Sequence, residues 1–206
     1  MNITHAKKEE VKEESLKAIF NRQKELMVKY HDIELKSGLL QTEDCPIELD
    51  DRKGQARIKD FAWRITEEVG EAIDALVNLE MLHHKEELID GLHFLTEMTI
   101  LTGYDLPNEF TLDELITQSE EIRGWSMEEL VFNHVRYLGM MCNCLKNKPW
   151  KQSMMKTNKE NFFQHLKLVW LNYIKMLTAA ELSEKDIVDI YLKKSQVNQF
   201  RQRSNY

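Results

Sequence analysis

"RITEEVGEAIDALVNLEMLHHKEELIDGLHFL", residues 64–95, sets two helical periods end to end and loads both with acid. Phe61, Ile65, Val69, Ala72, Leu76 and Leu79 recur at the spacing of one helix face. Beyond a short linker around His83 and His84, Leu88, Leu92 and Leu95 form one apolar stripe and Phe94, Met98 and Leu101 another. Two helices joined so briefly form an antiparallel hairpin. The spacing predicts it over roughly 55–82 and 85–102, with Gly103 and Pro107 as the stop.

The acids of this hairpin separate by angle. A helix turns about 100° per residue, so residues three apart project within about 60° of each other. Glu68 with Glu71, and Glu87 with Asp90, therefore form one pair per helix, whereas Glu67 and Asp74 point further round toward solvent. Glu87 and Asp90 fall within the second apolar stripe, where an ionised carboxylate is costly unless it is paired or binds a metal. Four converging carboxylates with no matching set of Lys or Arg suit a hard divalent cation, Mg²⁺ or Mn²⁺ rather than zinc. The plain alternative is a solvated acidic face, the ordinary explanation of Glu-rich helices. Two pairs on adjacent antiparallel helices favour the cation. A di-iron centre would need a Glu-x-x-His on each of two helices, and Asp90-Gly-Leu-His93 is a single, imperfect version.

The rest of the chain extends this helical reading. With only 7 Gly and 3 Pro in 206 residues, the chain has too little punctuation for the many turns of a β protein, so the expected class is all-α. Further helices are expected at about 7–30, 111–122, 126–145, 158–178 and 183–200, with a connection between 31 and 54 and a loop at "KNKPWKQ". The whole, 1–206, reads as a single domain. A net charge of −7 argues against binding along nucleic-acid phosphates. No apolar run approaches the ~20 residues that span a bilayer, and three cysteines without a disulfide or zinc spacing fit a reducing cytosol, in a bacterium or a phage-infected host.

Glu-x-x-Glu followed on the next helix by Glu-x-x-Asp resembles the metal signature of the all-α nucleoside triphosphate pyrophosphatases, the MazG-like superfamily. The His-Phe after Asp90 and the closing "YLKKSQVNQFRQRSNY" are similar in particular to the dimeric dUTPase and phage dCTP/dUTP pyrophosphatase branch, and "LKNKPWKQ" resembles a segment of its phage members. The resemblance implies that Glu68, Glu71, Glu87 and Asp90 bind Mg²⁺. It implies that Lys194, Arg201 and Tyr206 hold phosphate, and Lys151 in the Pro-containing loop is a further phosphate candidate from its own charge. Gln23, His93, Phe94, Asn198 and Trp63 then contact base or sugar, although Met27 stands where many dUTPases carry Asn or Asp. It also leaves room for a family-specific helical insertion at about 104–157 and makes 190–206 a phosphate-binding tail. Independently of the family, Lys194, Asn198 and Arg201 share a helix face by their spacing.

The expected activity is hydrolysis of a deoxynucleoside triphosphate, dUTP first, to monophosphate and pyrophosphate. One of Glu68 or Glu71 would orient or deprotonate the attacking water. Alternatives are a dCTP or broader deoxynucleotide pyrophosphatase, and a non-catalytic helical interaction protein. A homodimer is expected, with Trp63, Gly70 and Val77, seven apart on the outer side of their helix, as part of its contact.

Overall fold

A computed structural model of the chain describes the backbone of residues 3–203 except Trp125, and side chains between 15 and 200 with the same exception. The described residues form eight helices and no strand: α1 Ile3–Ser37, α2 Arg52–Val77, α3 Met81–Leu101, α4 Leu106–Glu109, α5 Leu112–Ser119, α6 Met127–Cys144, α7 Lys159–Ala179 and α8 Glu184–Arg203. None of them is long and apolar enough to cross a membrane.

The helix starts follow local chemistry. Asp51 caps α2 by accepting from the Gly54 N–H at 2.9 Å, and Thr111 and Glu114 form a reciprocal capping box on α5. Asn158 caps α7, its side chain accepting from the Asn161 N–H at 3.0 Å. The hairpin turn departs from the sequence expectation. It lies at residues 78–80, and His83 and His84 belong to α3. Leu79 ends α2 in the left-handed region at φ 62°, and the Glu80 N–H returns to the Ala75 carbonyl at 2.9 Å. Glycine or asparagine usually marks such a turn, so a leucine there leaves no signal. Leu79, expected on the buried stripe, is 82% exposed as a result. His84 is buried instead, its Nδ1 2.7 Å from the Ala72 carbonyl, which locks the start of α3 to α2.

Helix α3 is the hub, packed by α1, α2, α7 and α8. Leu88, Ile89, Leu92, Leu95, Met98 and Leu101 fill the core from it. Thr96 and Thr99 donate back to the carbonyls four residues earlier at 2.7 Å, and Thr99 also accepts from the Trp170 indole at 2.8 Å. Phe20 of α1 stacks on Trp170, closing the core beneath the hairpin. Helix α1 runs on to Ser37, beyond its expected end near Tyr30, and its added turns carry Glu34 to Arg57 and Arg64 of α2.

The loop containing "KNKPWKQ" is fastened to the start of α2. Asn147 donates to the Asp50 and Met155 carbonyls at 2.7 and 2.8 Å, and its backbone N–H donates to Gln55 at 2.8 Å. Arg52 in turn donates to the Lys151 carbonyl at 2.5 Å.

Candidate active site

Glu68 and Glu71 of α2 and Glu87 of α3 each offer an oxygen within 4.8 Å of the others. Oxygens on one octahedral Mg²⁺ lie at most about 4.2 Å apart, from metal–oxygen distances near 2.1 Å, so this cluster needs only a small contraction to hold the ion. Its donors are all oxygen, which fits Mg²⁺ or Mn²⁺. Glu87 is buried, Glu68 half-buried and Glu71 exposed. The cluster is electrostatically overfull. Burial first, then the negative charge of Asp90 and a hydrogen bond shared with Glu87, push the Glu68 carboxyl up to about 8. Asp90, one turn beyond Glu87, is raised by burial against the pull of Lys194.

Lys194 of α8 reaches across to this acid, its Nζ 2.5 Å from Asp90 Oδ2 and 3.3 Å from the Glu86 carbonyl. His83 Nδ1 lies 2.9 Å from Glu87 Oε1. The hairpin closes tightly at this level because residue 91 is glycine. A Cβ there would stand 2.1 Å from the Tyr173 hydroxyl and 3.2 Å from Glu68 Cβ. Tyr173 donates to the Leu88 carbonyl at 2.8 Å, so α7 braces the site from behind.

A cavity of about 350 Å³ opens from Glu68 and Asp90 and extends between α1, α2, α3 and α8 to Gln23 and Glu97. Four residues expected at base or sugar, Gln23, His93, Phe94 and Asn198, line it together. Gln23 is buried and engaged on both sides. Its Nε2 donates to Glu97 Oε2 at 2.8 Å, and its Oε1 receives the Tyr191 hydroxyl at 2.7 Å and faces His93 Nδ1 at 3.0 Å. His93 stacks on Tyr191 at 3.7 Å. Burial, and secondarily the Lys194 charge, hold His93 down to about 3, so its ring is neutral. With the ring proton on Nδ1 toward the Gln23 oxygen, Nε2 is left as a buried acceptor without a partner.

One wall of the cavity is aromatic and cationic. Phe94 meets Phe61 edge to face at 6.3 Å, and the Arg64 guanidinium lies 5.8 Å from the Phe94 ring centre. Arg64 is itself held by Asp60 at 2.8 Å and by Glu34 at 3.4 Å.

Two expected site residues are not brought here. Trp63 is 62% exposed on the outer side of α2, bonded to Glu67 at 2.9 Å, and does not line the cavity. Lys151 sits beside Arg52, and sixteen residues of helix place that end of α2 about 24 Å from Glu68, too far to serve phosphate within one chain. The Arg201 side chain and Tyr206 lie outside the described residues. Sequence reading missed Glu97, Arg64, Glu34 and Tyr191. Glu97 had a usable signal, since it stands four after His93 and seven after Asp90, on the same face of α3.

A family model described as dUTPase matches residues 68–206, beginning at the first of the clustered carboxylates. The chain belongs to this dUTPase family. The chain is accordingly a dUTP pyrophosphatase with an all-α fold. Searches of curated proteins and of solved structures returned no match. Gln23, expected at base or sugar, lies outside the matched span, and the structure places it in the cavity wall.

Proposed function

We propose that this protein hydrolyses dUTP to dUMP and pyrophosphate in a Mg²⁺-dependent reaction, with the triphosphate at the carboxylate end of the cavity and the base at its Gln23 end. The convergence of Glu68, Glu71 and Glu87, with Glu68 and Asp90 lining the end of that cavity, carries this reading. Glu68, Glu71, Glu87 and Asp90 are the residues that would hold the ion. Bound there, Mg²⁺ would offset phosphate charge and ease deprotonation of water.

The chain's own groups divide the remaining work. Glu71, the exposed member, is free to orient the attacking water and accept its proton. Lys194 now neutralises Asp90, and on loading of the site its ammonium is freed to turn one side-chain length toward phosphate. Arg201 and Tyr206 are proposed to complete the phosphate grip. Asn198, one turn beyond Lys194 on α8, is placed for the sugar, and Phe94 walls the base. Holding base and triphosphate at opposite ends of one cavity fixes the phosphorus against the water, which is the main demand of this chemistry.

We also propose a homodimer. Trp63, Gly70 and Val77 stand exposed on the outer face of α2, and Leu82 and Met81 add apolar surface at the hairpin tip.

The test is pyrophosphate release from each deoxynucleoside triphosphate with and without Mg²⁺, for wild type and Glu71→Ala. Metal-dependent dUTP turnover that collapses in the variant supports the assignment; equal rates in the two proteins overturn it. Sedimentation showing monomer alone at micromolar concentration would overturn the dimer.

A further inference from the structure

The acid that the proposed chemistry leaves unused is Glu97, at the opposite end of the cavity from the proposed metal ligands. It is seven residues beyond Asp90, about 10 Å along α3, so it faces the part of a nucleotide farthest from its phosphates. It is 6% exposed, and the cations near it are committed elsewhere. Arg57 pairs with Glu34 at 3.1 Å and donates to the Thr42 carbonyl at 2.6 Å, while Arg64 pairs with Glu34 and Asp60. Among the described residues no ion pair reaches Glu97. One of its oxygens, Oε2, accepts from Gln23, which leaves Oε1 for a ligand.

The groups facing Glu97 come from four elements. Gln23 and Glu34 approach from α1, Arg57 and Arg64 from α2, Tyr191 from α8, and Cys45 from the segment before α2. The balance favours the neutral acid, because burial outweighs the Gln23 hydrogen bond, and the negative Glu34 opposes the two guanidiniums. The carboxyl is pushed up to about 7.

A neutral carboxyl with one oxygen already accepting presents an O–H at the other, whereas an ionised one presents only a lone pair. Uracil has a carbonyl at C4 and cytosine an amino group, so the two bases demand opposite partners there. The C4 substituent is also the one remote from the sugar.

We propose that Glu97 reads the base: as the neutral acid it donates from Oε1 to the C4 carbonyl of uracil, and when ionised it ceases to exclude the C4 amino group of cytosine. This rests on the nucleotide lying in the cavity as proposed above. Gln23 is then the residue that orients the reader, with Tyr191 and His93 fixing the Gln23 amide so that its N–H side meets Glu97.

The experiment is the ratio of kcat/KM for dUTP to that for dCTP, measured with Mg²⁺ across the neutral range. Both substrates carry the same triphosphate, so ionisations at the carboxylate end cancel in the ratio. For the wild type the ratio falls about tenfold or more as pH rises through about 7. Glu97→Gln keeps an N–H donor that cannot ionise, so its ratio stays high and flat with pH. Glu97→Ala has a low, flat ratio while keeping the Mg²⁺-induced rise in melting temperature. A wild-type ratio independent of pH overturns the inference, as does a Glu97→Gln profile that still follows the wild type. Failure of every protein to hydrolyse any nucleotide overturns instead the underlying placement of substrate, and this inference with it.

Discussion

At one end of the cavity Glu68 converges with Glu71 and Glu87 beside Asp90, and among the described residues Lys194 is the ammonium paired with them; at the other, Glu97 is buried against the Gln23 amide, with Glu34, Arg57 and Arg64 facing it. Both ends raise the affinity of a carboxyl for its proton, but for different reasons. At the first end mutual repulsion adds to burial and creates a standing demand for positive charge. At the second, burial outweighs the Gln23 hydrogen bond while Glu34 opposes Arg57 and Arg64, and the result favours the neutral acid. Crowded acid suits polyphosphate and metal; isolated acid suits an uncharged base.

Substitutions can separate the two ends. Glu71→Ala should lower kcat on the order of a thousandfold, the range expected for removing a group that handles the proton of water. Because Glu71 is exposed, the metal-free melting temperature should barely move, and a large drop would reassign it to a structural role.

Gly91→Ala should cost less but act on both stability and metal. Forcing a Cβ to within 2.1 Å of the Tyr173 hydroxyl splays α3 from α7, at about 1–3 kcal/mol by the usual cost of overpacking. Mg²⁺ affinity, read by titration calorimetry, should weaken about tenfold by the same displacement. Adding Tyr173→Phe removes the clashing oxygen and should restore part of it, while no recovery would mean that the hydroxyl does not set the spacing.

Gln23→Leu should spare the carboxylate end. It strands the Tyr191 hydroxyl and Glu97, a loss of about 1–3 kcal/mol in chemical unfolding, and should raise KM for dUTP several-fold. The Mg²⁺-induced rise in melting temperature should persist, and its disappearance would deny that the two ends are independent.

A further expected effect is on the pH dependence of stability without metal. Glu68 titrates at about 8 when folded rather than near 4.5, so over that window the folded state binds more protons than the unfolded one. Stability then falls as pH rises from about 4.5 through about 8, the reverse of a carboxylate held by an ion pair. Saturating Mg²⁺ should flatten this slope in thermal denaturation monitored by circular dichroism.

Much of the hairpin was legible because its signals are local. Glu68 and Glu71 converge with Glu87 as their three-residue spacing and antiparallel pairing require. The turn at residues 78–80 was not legible, since Leu79 takes a left-handed conformation without the glycine that would mark it. Helix α4, only four residues long, also escaped notice, being too short to show a period. Trp63 shows the limit of residue type as a guide. An aromatic near the acids fits a base wall, but the angle of Trp63 on α2 turns it outward, while Phe94, expected beside it, lines the cavity with Arg64.

From the sequence alone came the helical class, the two acid pairs and the shared face of Lys194 and Asn198, because each follows from residues within two turns of one another. Tertiary structure alone decided that Lys194 meets Asp90, that Gln23 meets Glu97 across α1 and α3, and that Lys151 belongs to the far end of α2. These partners are separated by many tens of residues. Their meeting depends on how far each helix runs before it turns and which face the core claims, and no local spacing encodes either.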